Sequence, residues 1–150
     1  MDMKVKELGH VVLYVSDLKR SRRFYGDLLG FHEVTQIGNL AAVFSSGRTH
    51  HELLLVEVGT GANPIPAEPR VGLYHIGLKI GENDDELREA IVRLENASVE
   101  IDGMADHTVT HSVYIRDPDG NEIELYIDVQ PPIWREHPEA IIAPTRPLRL

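Results

Sequence analysis

The sequence predicts an α+β fold made of two copies of one unit, each a strand, a helix and three further strands. Three observations carry this. Residues 8–15 and 73–80 read as strands of the same design, with a histidine third in each, His10 and His75. Each is followed by a helix signal and then by three short, largely apolar runs of strand length. A stretch rich in Gly and Pro, residues 59–70, separates the two series. We therefore expect one domain over residues 1–130, with modules at 5–60 and 71–130 joined by the linker 59–70, and a tail at 131–150.

In the first module, Val11, Leu13 and Val15 share one strand face, and His10, Val12 and Tyr14 share the other. Ser16 or Asp17 can cap a helix running to Leu29, with Leu18, Phe24, Tyr25, Leu28 and Leu29 as its apolar side. Gly30 is placed to end it in a left-handed cap. Strands are expected near 32–37, 40–45 and 50–58, the last two joined through Ser45-Ser46-Gly47-Arg48.

The second module restarts at residue 73. Asn83 caps a helix and Glu86 completes a capping box. Leu87, Ala90, Ile91 and Leu94 fall on one helical stripe. Strands follow near 98–102, 109–116 and 122–129. The turn Asp117-Pro118-Asp119-Gly120-Asn121 supplies a fixed φ, a positive φ and short polar side chains just before the last strand. Ile123, Leu125 and Ile127 then point one way, and Glu122, Glu124 and Tyr126 the other. The tail holds five of nine prolines and the only tryptophan, Trp134, and reads as extended.

Bulk composition narrows the function. Net charge is −9, from 15 basic and 24 acidic residues, which disfavours nucleic acid and anionic membrane surfaces as partners. No apolar run is long enough to span a bilayer, and the first residues lack an apolar signal core, so a cytoplasmic protein is expected. Cysteine is absent, which excludes disulfides, thiolate metal sites and cysteine nucleophiles.

A carboxylate within an apolar strand costs free energy unless it is paired. Glu124 is such a residue, and His10 and His75 occupy equivalent positions in the repeat. If the inward faces of the two modules meet, these three side chains can hold a metal. Two histidines and one carboxylate leave open positions suited to Fe(II), and Mn, Zn, Ni or Co can occupy the same set. A lone strand histidine is commonly a hydrogen-bonded structural residue; the matched pair is what points to ligands. The fourth equivalent position is open. Anchored on the turn, Gly120 precedes Glu124 by four residues as Gly47 precedes His51. Anchored on the apolar run, it is Glu52. Glu122, His32, His50 and His137 read as surface residues, while His107 and His111 read equally as surface or functional.

The segments Leu8-Gly-His-Val-Val-Leu-Tyr-Val with Phe24-Tyr25 and Leu29-Gly30-Phe31, Gly72-Leu-Tyr-His-Ile-Gly-Leu, and Tyr114-Ile-Arg-Asp-Pro-Asp-Gly-Asn-Glu-Ile-Glu-Leu-Tyr resemble the vicinal oxygen chelate superfamily. This is the group of glyoxalases, bleomycin-resistance proteins and extradiol dioxygenases. The resemblance implies paired βαβββ modules forming a curved-sheet, metal-binding cavity. Within the group the likeness is to extradiol ring-cleaving dioxygenases of the catechol 2,3-dioxygenase kind. It rests on His50-His51, on Ala105-Asp106-His107-Thr108-Val109, and on Tyr114, ten residues before Glu124. It implies His10, His75 and Glu124 as Fe(II) ligands and His51 as acid–base catalyst. It also implies that His107 and Tyr114 hydrogen-bond a catechol-type aromatic substrate cleaved with O₂.

Such dioxygenases carry two copies of this domain where this chain shows one, so a homodimer or higher homo-oligomer is expected. A glyoxalase-I-like lyase is the alternative, with Glu52 as a fourth ligand and Ni(II) or Zn(II) preferred. A non-catalytic binding protein of the resistance kind is a third, although the intact His/His/Glu set argues against it.

Overall fold

A computed structural model describes residues 2–130 and 132–150. Met1, the first residue of the expected domain, and Pro131, the first of the expected tail, lie outside the described residues. The chain forms two compact units, Met1–Pro64 and Ile65–Leu150, each with its own sheet. The fold is α+β, with mixed sheets of four and five strands and few helices. No helix among the described residues is long and apolar enough to cross a membrane.

The first unit runs β1 (Val11–Val15), α1 (Leu18–Arg22), a π-helical turn (Arg23–Leu28), β2 (His32–Ile37), β3 (Ala41–Ser45) and β4 (Leu53–Glu57). Its sheet order is β1-β4-β3-β2, with β1 and β4 parallel and the other pairs antiparallel. β1 begins at Val11 and not at Leu8. The Leu8 and Gly9 carbonyls accept from the Arg48 guanidinium at 3.4 and 3.0 Å, and the ladder opens only where Val11 N–H donates to the Glu52 carbonyl.

Asp17, rather than Ser16, caps α1, its carboxylate accepting from Arg20 N–H at 2.9 Å. The predicted single helix changes pitch at Arg23. Phe24 and Tyr25 are both buried, and the wider π turn carries Leu29 N–H to the Phe24 carbonyl at 3.0 Å. Gly30 takes φ +87, a left-handed value that ends the helix as expected. Leu13, Val15, Leu18, Leu53 and Leu55 are buried, while Val12 and Tyr14 on the other face of β1 are exposed.

The second unit repeats the plan. It runs β5 (His75–Gly81), α2 (Asp84–Asn96), β6 (Ile101–Asp106), β7 (Thr110–Arg116) and β8 (Glu122–Asp128). Its sheet order, β5-β8-β7-β6, matches the first, with one strand added beside β6 by β9 (Arg146–Pro147). Asn83 caps α2 by accepting from Asp85 and Glu86 N–H. Glu86 reaches back to Glu82 N–H at 2.6 Å and to the Asn83 amide at 3.0 Å, a variation on the expected box. Gly81 makes room for it, because a Cβ there would lie 2.7 Å from Glu86 Cβ. Leu87 and Leu94 are fully or almost fully buried, and each contributes roughly 1.5–3 kcal/mol by leaving water.

β6 starts at Ile101, three residues later than the sequence reading. Ser98 adopts φ 56 and Val99 N–H closes onto the Leu94 carbonyl, so the helix terminus occupies those residues.

The tail is not simply extended. It forms a short helix α3 (Ile133–Glu136), a 3₁₀ turn (Pro138–Ile142) and β9 (Arg146–Pro147), which pairs antiparallel with β6. Leu148 is buried just beyond.

Candidate metal and acid–base site

Glu124 stands on the non-core face of β8, between the buried Ile123 and Leu125 of the other face. The Asp117 turn fixes where β8 begins. The Asp117 carboxylate accepts from Asp119 and Asn121 N–H at 2.9 and 2.8 Å, and Gly120 takes φ 92. β8 runs parallel to β5 with His75 opposite Glu122 and Gly77 opposite Glu124. Gly77 has no side chain to set against the Glu124 carboxylate.

The two carboxylate oxygens are treated differently. Oε1 accepts from Ser112 Oγ at 2.7 Å and from the Tyr114 hydroxyl at 3.2 Å. Oε2 faces His75 Nε2 at 3.1 Å. The other ring nitrogen, His75 Nδ1, lies 3.2 Å from Glu122 Oε2. A carboxylate on Nδ1 favours a proton there, as metal-binding histidines are commonly held, and a cation bound beside Nε2 and Oε2 would take a lone pair from each. The protein thus engages one oxygen fully and sets the second beside an imidazole nitrogen. That donor chemistry fits a divalent metal. Among the described residues, no group of three or more His, Cys, Asp or Glu side chains is assembled for metal binding.

His107 lies in the β6–β7 hairpin, where Thr108 takes φ 74. Its Nε2 lies 2.6 Å from the Tyr114 hydroxyl and 3.9 Å from Glu124 Oε1. Burial, then the charge and hydrogen bond of Glu124, push the Tyr114 phenol up to about 12, so it remains a donor at working pH. His75, His107, Tyr114 and Glu124, all singled out in the sequence, are therefore brought together within the second unit.

In the first unit His10 precedes β1 and His51 precedes β4. Their rings lie 4.5 Å apart at 31°, and His50 Nδ1 meets His51 Nδ1. Loss of hydration, then the charges of His10 and His50, hold His51 below the usual histidine value against the opposing pull of Glu52. Glu52 Oε2 accepts from Ser46 N–H at 3.0 Å, Oε1 accepts from the Ser46 hydroxyl, and Arg48 Nε lies 3.5 Å from Oε1. Burial opposes its charged form, but the Ser46 bonds and Arg48 outweigh it and keep the acid below its ordinary value.

The register corrects the expected fourth position. With His10 set on His75, Val11 falls on Ile76, and their partners are Leu53 and Ile123. Leu54 then stands where Glu124 does, and Glu52 where Glu122 does. Neither His51 nor Glu52 is the counterpart. The turn and the apolar run misled because residues 46–52 form a longer connection than Asp117–Asn121.

Two further readings change. Glu122 is not a solvated surface carboxylate; it is only 11% exposed, between His75 and Arg116. His111 lies across from the buried Ile127 and bonds Asp84 at 2.6 Å, so it ties α2 to β7 on the core side of the sheet. His32, His50 and His137 are exposed, as expected. Sequence reasoning passed over Ser112, which lies two residues before Tyr114 and so on the same strand face. It also passed over Thr145, for which no local signal existed.

Residues 7–125 match the family model of the Glyoxalase/Bleomycin resistance protein/Dioxygenase superfamily. The chain belongs to that superfamily. It is 32% identical over 132 residues to a catechol-2,3-dioxygenase of Bacillus subtilis (strain 168), covering 88% of this chain and 45% of that protein. It is 34% identical over 122 residues to biphenyl-2,3-diol 1,2-dioxygenase 3 of Rhodococcus globerulus, covering 81% and 63%. The chain thus spans between about half and two thirds of the length of these relatives. A solved lactoylglutathione lyase from Agrobacterium tumefaciens matches with TM-score 0.61 and 26% identity, over 83% of this chain and 96% of the other.

Proposed function

We propose that this chain is an Fe(II)-dependent extradiol dioxygenase that cleaves a catechol-type aromatic ring with O₂. The observation that carries the reading is the division of labour at Glu124, with Oε1 saturated by Ser112 and Tyr114 and Oε2 turned to His75 Nε2. His10, as the repeat equivalent of His75, is the third proposed ligand. Leu54 at the remaining equivalent position supports a set of three ligands rather than four. Three ligands leave room for a chelating substrate and O₂ together.

When bound, the metal supplies Lewis acidity toward the two catechol oxygens and a path for electrons to O₂. The side chains do the rest. His51, held below the usual histidine value, is neutral at pH 7 and takes a proton from a catechol hydroxyl, then returns it. Tyr114 stays protonated and donates, and His107 orients it through the 2.6 Å contact. The relatives named catechol-2,3-dioxygenase and biphenyl-2,3-diol 1,2-dioxygenase support a vicinal diol as substrate. A lyase of the glyoxalase kind calls on Glu52 as a fourth ligand, and that carboxylate is already engaged by Ser46 and Arg48.

The test is to load the full chain with Fe(II) without air and offer it a panel of catechols with O₂. A yellow ring-opened product with matching O₂ uptake is expected. Absence of uptake across the panel, with isomerisation of a glutathione hemithioacetal instead, would sink the reading.

A further inference from the structure

The tail returns to the sheet at a particular place. β9 pairs with the free edge of β6, Ala105 opposite Pro147 and Asp106 opposite Arg146. The Arg146 guanidinium meets the Asp106 carboxylate at 2.9 Å, and Leu148 is buried one residue past β9. An antiparallel pair that matches 106 with 146 sets residue 107 beside residue 145. Thr145 Oγ1 accordingly lies 3.2 Å from His107 Nδ1.

The direction of each hydrogen bond follows from what the end group can do. The Glu124 carboxylate only accepts, so the Tyr114 hydroxyl donates to Oε1 at 3.2 Å. That leaves the Tyr114 oxygen to accept, and His107 Nε2–H donates to it at 2.6 Å. A neutral imidazole with its proton on Nε2 has a lone pair on Nδ1, and Thr145 O–H donates to that. The four groups form one directed chain, Thr145 to His107 to Tyr114 to Glu124.

We propose that Thr145 is a positioning residue, and that docking of the tail strand fixes the Nε2–H tautomer and ring orientation of His107. Its consequence for turnover rests on the reading of His107 and Tyr114 given under Proposed function. The tautomer itself does not. Thr145 is exposed, and loss of its hydroxyl costs about fivefold in rate, the worth of one neutral hydrogen bond.

The test compares the full chain with Thr145→Val and Thr145→Ser, using imidazole ¹⁵N resonances in the presence of diamagnetic Zn(II) and O₂ uptake with Fe(II). The Val variant keeps the shape, so the backbone spectrum stays superimposable. Expected for the native chain and Thr145→Ser is a protonated Nε2 and an unprotonated Nδ1 at His107. Thr145→Val gives a tautomer mixture and a kcat about fivefold lower with unchanged KM. An unchanged tautomer in Thr145→Val overturns the proposal. A tautomer change in a chain that consumes no O₂ with any catechol upholds the positioning role and overturns the dioxygenase reading alone.

Discussion

Removing the Tyr114 hydroxyl isolates the polar face of β7 and β8. It donates to Glu124 and accepts from His107, so Tyr114→Phe breaks two links while leaving the ring in place. We expect kcat to fall by about a hundredfold, with a change in unfolding free energy near 1 kcal/mol, measured by steady-state O₂ uptake and urea titration. Ser112 is fully buried and holds Glu124 Oε1 at 2.7 Å. Ser112→Ala frees that oxygen to rotate, and metal affinity should drop about tenfold in a competitive chelator titration. An unchanged affinity in that titration would mean that Oε1 is not what orients the carboxylate. Ser112 was legible in principle, since strand alternation places it beside Tyr114, yet a serine carries too little chemical signature to be noticed alone.

Two elements hold features that can be perturbed separately. At the start of α2, the Glu86 side chain folds over Gly81, and a methyl group there would sit 2.7 Å from Glu86 Cβ. Gly81→Ala should destabilise the chain by about 1–3 kcal/mol, seen as a lower midpoint in thermal unfolding. A midpoint equal to the native one would show that the Glu86 cap moves aside at no cost. At β9, the Thr108 N–H first, then Arg146, hold the Asp106 carboxyl below its ordinary 3.8 despite the opposing effect of burial. A carboxyl depressed in the folded state contributes stability above its unfolded value, and that contribution is lost as pH falls through the folded value. The β9 docking should therefore persist well below neutral pH and loosen below pH 3.8. Amide hydrogen exchange at Arg146 and Leu148 reads this directly. In Asp106→Asn the acid step should vanish; a step of native size would assign it to another group.

Across the whole molecule, the repeat is what the sequence displayed best. Matched strands, Asn83, Asp17 and Gly30 each announce themselves through local chemistry, and the two sheets follow the same strand order. Register was harder, because residues 46–52 and the Asp117 turn are connections of different length, and side-chain periodicity alone cannot count across them. The tail was least legible. Its strand exists because β6 offers an unpaired edge and Asp106 a partner for Arg146, and neither is local to residues 131–150. As proposed, His10, His75 and Glu124 hold one metal. Equilibrium Fe(II) affinity of the native chain against His10→Ala, measured without air, tests it most directly. One ion per native chain is expected, with an affinity at least about a hundredfold lower in the variant. Native affinity in His10→Ala, with loss only in His75→Ala and Glu124→Gln, would contradict it.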